Sequence, residues 1–231
     1  MLHLSIMRLL CSLFVLAVLL SSCATSFSIR RFGFQPAAQQ MFFASPIAEI
    51  NLIEKGSKPV PSEEATAQST EIMRKLLVRH RAALHLTREL IIPDSVRQEA
   101  YRQFFRAADG IAYQQKLETG VNLPVIDNLL ADQDQRYVLL TAIRGFTRTK
   151  ENYRGHLAKA IGVGVLTMGV MTPVLGKAKS VISVLIYDRQ QRQIVYFNQT
   201  PTEGGHEPLD ETSVENQLRK MLAKDFPLAG K

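Results

Sequence analysis

Tryptophan is absent from this chain of 231 residues, cysteine occurs twice, and aromatic residues make up only 7% of it. Each shortage closes a class of function. Two cysteines are too few for a disulfide-stapled scaffold or a four-cysteine zinc module. So few aromatics do not build a stacking platform for single-stranded nucleic acid, and no nucleic-acid partner is expected. Catalytic signatures are also missing. There is no Gly-x-Ser-x-Gly elbow. Gly162-x-Gly164 followed by Gly169 lacks the spaced third glycine of a dinucleotide loop and the Lys-Ser/Thr of a phosphate loop. His80 and His85 are five apart, so on a helix they diverge by about 140° and share no metal-binding face. Asp132-Gln133-Asp134 lacks the remaining oxygen ligands of a calcium loop and reads as a helix-to-strand turn. The expectation is a noncatalytic protein without cofactor or metal.

What remains is globular: 46% hydrophobic, 21% charged, with a formal net charge of +7. The length suits one large or two small domains. The first 23 residues carry a location signal. A short basic start around Met7 and Arg8 precedes an apolar run from Leu9 to Leu20, broken only by Cys11 and Ser12. Such a run describes a secretory signal, too short for a comfortable membrane span. Leu20-Ser21-Ser22-Cys23 resembles a bacterial lipobox, in which the cysteine becomes the acylated first residue of the mature chain. An ordinary signal peptide or an uncleaved anchor, with Cys23 merely a small residue, is the alternative. The resemblance implies residues 1–22 as leader, Cys23 as the lipidated (palmitate-bearing) residue, and, with Ala24 following, an outer membrane address. Cys11 then leaves with the leader, no internal disulfide can form, and the mature charge is +6. That surplus suits anionic headgroups or polyanionic glycans, or is simply a solvated surface.

Residues 23–45 read as the lipidated cysteine and a tether, with at most one short extended piece, and 46–228 as a single domain. Ile47 to Ile53 begins with apolar-polar alternation and reads as a strand. Ser62 opens a helix with Glu63 and Glu64 in its first turn and Ile72, Leu76, Leu77, His80 and Leu84 along one stripe. Leu86 to Ile92 is a short strand. Pro93-Asp94-Ser95 starts a long helix to about Leu117, stopped by Gly120, with Val96, Ala100, Phe104, Ala107, Ala108 and Ile111 on one side. Leu123-Pro124 starts another, through Leu130. Arg136 to Gly145 is apolar on both faces over Val138 to Ile143 and reads as a central strand. Val181 to Tyr187 and Gln193 to Thr200 make a hairpin around Asp188 to Arg192. The last helix is capped by Asp210 or Thr212, buries Val214, Leu218, Met221 and Leu222, and ends before Pro227. The order predicts an α/β fold: a mixed sheet of about four to five strands covered by helices, with a C-terminal hairpin and a final helix.

Two segments between these elements stand out. Thr147 to Lys159 is polar and basic, and Ala160 to Gly176 runs seventeen residues without a charge. The uncharged stretch reads as a buried helix, a loop over the core, or a membrane or oligomer contact; its four glycines and Pro173 weigh against a lipid-spanning helix.

These residues together resemble a group of small periplasmic lipoproteins: those related to the TolB amino-terminal domain, the penicillin-binding-protein activators and the curli-secretion lipoproteins. The likeness lies in the lipobox at Cys23, the helix leading through Asp132-Gln133-Asp134 into Arg136 to Ile143, the apolar Gly-rich insert, and Val181 to Asp188 paired with Ile194 to Phe197. Asp188, Tyr196 and Phe197 match the group's strand, Asp, polar turn and aromatic-ended strand, whereas Arg189-Gln190-Gln191-Arg192 stands where the group often has a turn glycine. The resemblance implies a lipid-anchored envelope protein on the periplasmic face of the outer membrane that docks on an envelope protein complex. It also allows a subunit of a homo-oligomeric secretion-type assembly, with Ala160 to Gly176 as contact, although that segment lacks the alternation of barrel strands. An envelope hydrolase would need a pair of close carboxylates that the sequence does not mark out.

Overall fold

Leu139, Leu140, Thr141, Ala142 and Ile143 are all buried, because the strand carrying them is sandwiched between two helical layers. That strand, β6 (Tyr137–Arg148), is the axis of the sheet in the computed structural model. The structure describes residues 27–117, 121–131, 133–155, 176–201 and 205–228. Along one edge of β6 runs β7 (Ala178–Asp188), antiparallel, followed by β8 (Gln193–Gln199) and β1 (Phe27–Arg30), each antiparallel to its neighbour. Along its other edge lie two strands end to end, β2 (Met41–Ala44) and β3 (Ile47–Ile53), both parallel to β6. They form one line broken at Ser45-Pro46, where proline supplies no N–H for the ladder. Beyond β2 lies β5 (Leu86–Leu90), and β4 (Val60–Pro61) pairs with β3.

The α/β architecture with a mixed sheet covered by helices is as expected, and the helices lie on both faces. The strand count is not as expected, since among the described residues the sheet has eight strands instead of four to five. The additional ones are β1, β2 and β4, of four, four and two residues. Two of them fall in the segment expected to be a tether. Phe27 to Arg30 is held by backbone pairing to β8, and all four residues of β2 are buried, so residues 27–44 belong to the domain. A strand buried on both faces shows no alternation and is too short to register as an apolar run, so neither piece could be read locally.

One face of the sheet packs against α1 (Glu63–Arg79) and α4 (Glu211–Leu222), burying Met73, Leu76, Leu77, Leu218 and Leu222 on Leu139, Ile143 and Ile186. Ser62 caps α1, its hydroxyl accepting from the Ala65 N–H at 3.2 Å. Of the two candidates for capping α4, Asp210 does so, accepting from the Ser213 N–H at 2.6 Å. The other face packs against α2 (Asp94–Gln114) and α3 (Pro124–Ala131), where Phe104, Ala108, Ile111 and Leu130 meet Val138, Leu140, Leu185 and Phe197. Helix α2 stops at Gln115, which adopts a left-handed conformation at φ 54°, three residues short of the expected end. The glycine expected to stop it, Gly120, lies outside the described residues.

At Gly145 the β6–β7 pair leaves no room for a side chain. A Cβ built there would lie 2.1 Å from the Lys179 carbonyl oxygen and 3.0 Å from Ser180 Cα, so only glycine lets the ladder continue to Arg148.

Candidate docking surface

Helices α2 and α3 cover their face of the sheet only as far as the row Ile47–Ala142–Ser183. Because side chains alternate, the next residues on that face are Glu49, Arg144 and Val181, which are neighbours in the register, and then Asn51, Phe146 and Lys179. These two rows extend the core face beyond the helices, where Phe146 and Val181 stay only half-buried.

Arg144 is fixed at the border by three partners on two elements. Its guanidinium lies 3.7 Å from the centroid of the Phe105 ring. Its Nη1 donates to Asp109 at 2.8 and 3.1 Å, and its Nε donates to Glu49 at 3.1 Å. A planar guanidinium with five donors serves both carboxylates while stacking on the ring, which a lysine could not do. Two adjoining depressions of about 290 and 440 Å³ share Arg144 and Val181, one reaching Phe105 and Gln199, the other Phe146 and Lys179. The arrangement is a charged rim around a partly apolar floor, with Lys179 making no ion pair with a described residue. It offers contact area, a fixed charge pattern and one free cation, a binding chemistry. A larger hollow of about 560 Å³ between α2 and the start of α3 is lined by Gln103, Arg106 and Val121.

The residues singled out in the sequence fall elsewhere. Leu20, Ser21, Ser22 and Cys23 lie outside the described residues, as do Asp132 and residues 160–175 of the uncharged segment. Asp188 is a structural keystone: its carboxylate accepts from Arg136 Nη2 at 2.8 Å and from the Gln190 and Gln191 N–H groups at 2.9 and 3.2 Å. That capping holds the hairpin without a turn glycine, helped by Arg192 at φ 49°. Tyr196 and Phe197 point to opposite cores. The Tyr196 hydroxyl donates to Asp225 at 2.9 Å, whose carboxylate also accepts from Ser28 of β1 at 3.0 Å and lies 3.6 Å from Arg30. Burial pushes the Tyr196 hydroxyl well above the ordinary tyrosine range. His80 and His85 are apart, as the spacing requires. His80 ends α1 with Nε2 2.9 Å from Glu215, beside the Arg79 pairs with Glu211 and Glu215, and His85 sits in the following turn at φ 53°. Among the described residues no group of three His, Cys, Asp or Glu side chains could hold a metal ion. No described helix is long and apolar enough to cross a membrane.

No family model and no curated protein matches the chain. Solved structures that it resembles include a PelC dodecamer from Paraburkholderia phytofirmans, at 12% identity and a TM-score of 0.36, covering 86% of this chain and 94% of that one. The LpoB C-terminal domain from Salmonella enterica matches at 11% identity and 0.28, over 73% and 84% of the two chains. A DUF4136 family protein from Bacteroides thetaiotaomicron matches at 8% identity and 0.30, over 86% and 94%. These likenesses are too distant to carry an argument about this chain. The rows beyond Ala142 were not legible in the sequence, because Arg144 reads there only as the polar end of a strand. Its partners Phe105 and Asp109 sit on a helix that no local period connects to it.

Proposed function

We propose that this chain is a noncatalytic envelope lipoprotein, anchored through acylated Cys23 at the periplasmic face of the outer membrane, that docks on a periplasmic or outer-membrane protein complex. The leader pattern supports the anchor. The docking half is carried by one observation: the sheet face continues past α2 and α3 as the rows Glu49–Arg144–Val181 and Asn51–Phe146–Lys179, with Arg144 held by three partners and Phe146 and Val181 half-buried. A partner segment presenting an apolar side chain to Phe146 and Val181, with a carboxylate towards Lys179, satisfies this surface. Anchoring raises the effective concentration of such a surface near membrane-bound partners.

The test is the native mass and composition of the protein extracted from its own membranes in mild detergent, beside Phe146→Asp. A monomer or dimer with one reproducible envelope protein, lost in Phe146→Asp while the circular dichroism spectrum is kept, supports the reading. Retention of the same companion by the variant refutes this surface. A homogeneous homo-oligomer puts a second copy of the chain in the partner's place, and a bare monomer removes the docking function.

A further inference from the structure

The end of the sheet where β1 begins is also where unneutralised positive charge collects. In the strand register, the start of β1, the end of β8, the start of β7 and the ends of β6 and β3 all point the same way. From the Phe27 row the sheet projects a further six residues to Arg148, about 20 Å at strand rise. The loops at this end are tied together. Arg148 donates to the carbonyls of Gly176 at 3.1 Å and Gly56 at 3.4 Å, and Asn152 Nδ2 donates to Gly56 at 3.0 Å. They bring Lys55, Lys58, Lys150, Arg154, Lys177 and Lys179 to one end, and none of these makes an ion pair with a described residue. Nearby acids are fewer by one: Glu54, Glu63, Glu64, Glu151 and Glu207. At the opposite end three arginines are matched, Arg30 with Asp225, Arg136 with Asp188 and Arg192 with Asp127, while Arg81 and Arg189 make no ion pair with a described residue.

We infer that this basic end is the membrane-facing pole of the domain and lies on an anionic bilayer surface. The inference rests on the anchor reading above, and chain length supplies its geometry. Only four Cα steps separate Cys23 from Phe27, a reach of at most about 14 Å. A lipid at Cys23 therefore cannot let the domain stand off. Because the basic end projects about 20 Å beyond the Phe27 row, further than this reach, the sheet must lean towards its β1 edge, which brings the anchor and the basic end to the headgroups together, with the cations within about a Debye length of the lipid charge. Each lysine so placed strengthens partition onto an anionic surface about fivefold.

Bimane probes at Lys58→Cys, on the basic end, and Arg192→Cys, on the opposite hairpin, test this in the full protein taken from its own membranes. The labelled proteins are reconstituted into phosphatidylcholine vesicles with one-third phosphatidylglycerol and headgroup nitroxide. The expected result is quenching at the Lys58→Cys site several-fold above that at Arg192→Cys, reduced by Lys55→Glu with Lys179→Glu and by high salt. Equal quenching at both sites, or more at Arg192→Cys, in protein whose intact mass shows the acyl chains overturns the pole while leaving the anchor standing. A mass without acyl chains, with a second bimane on Cys23, removes the anchor instead. The same protein's partition then decides the basic end, and equal binding to anionic and neutral vesicles overturns it.

Discussion

Asp188 and Arg136 are unequal partners, and the inequality predicts an order of mutational costs. The Asp188 side chain is 1% exposed and that of Arg136 is 38% exposed. Arg136→Ala leaves a buried carboxylate with the Gln190 and Gln191 N–H groups and the Tyr137 hydroxyl to face but no positive charge, and stranding a buried charge costs about 3–5 kcal/mol. Asp188→Ala strands nothing comparable, because Arg136 keeps water on more than a third of its surface and its charge is screened. What it loses is the charge-assisted pair and two turn hydrogen bonds, together about 2–3 kcal/mol. Arg136→Ala should therefore be the more harmful single change. The double variant should fall near Asp188→Ala, because removing the carboxylate relieves the stranded charge. Urea unfolding followed by circular dichroism gives these values, provided the slope with denaturant is unchanged. Asp188→Ala costing more than Arg136→Ala, or a double variant equal to the sum of the two, refutes the reasoning.

Gly145→Ala drives a Cβ into the Lys179 carbonyl. It should cost about 2–3 kcal/mol and open amide exchange at Ser180 and Val181, whereas Gly110→Ala, a helical site with nothing within 4 Å, should stabilise by about 0.5–1 kcal/mol. Alkaline pH should unfold the protein through its buried phenols. Burial, with Asp127 adding, pushes the Tyr187 hydroxyl up to about 12. Because the folded value is raised, the stabilisation is whole below the ordinary value of about 10 and is lost as pH rises towards 12. Tyr187→Phe should flatten the alkaline fall in unfolding midpoint, read beside tyrosinate absorbance. Ser62→Ala should cost about 1 kcal/mol, measured as a fall in Tm of about 2–4 °C.

The parts of the fold that declared themselves are those whose burial repeats along the chain. Helices α1 and α2 carry apolar stripes, and β6, β7 and β8 are long enough for an apolar run to be unmistakable. β1 and β2 declare nothing, because a four-residue strand spans two alternations at most and β2 is buried on both sides. Their place is decided by partners far away: Phe27 pairs with Gln199, and Phe42 with Val138. The basic end was hidden for the same reason. Lys55 and Lys58, Lys150 and Arg154, and Lys177 and Lys179 sit in three separated segments, of which only the middle one read as basic. The strand register alone makes them neighbours.

Moving β1 from tether to sheet changes what the anchor can do. Twenty-two free residues after Cys23 would spread the domain over a root-mean-square distance of about 26 Å, leaving its orientation open. Four steps would leave almost no freedom, so under the proposed anchoring a lipid at Cys23 would act as an orienting strut and set the docking rows beside the bilayer. Inserting about twenty Gly/Ser residues after Ser26 separates the two effects. The spacer adds no contact to the domain, since Phe27 keeps its pairing to Gln199, so the unfolding midpoint should stay the same. Orientation should be lost: quenching at a Lys58→Cys probe should fall towards that at Arg192→Cys, and recovery of a membrane-bound companion should fall with it. Undiminished quenching with an intact fold would mean that the basic end alone orients the domain. Loss of stability would mean instead that the residues before Phe27 contribute to the fold.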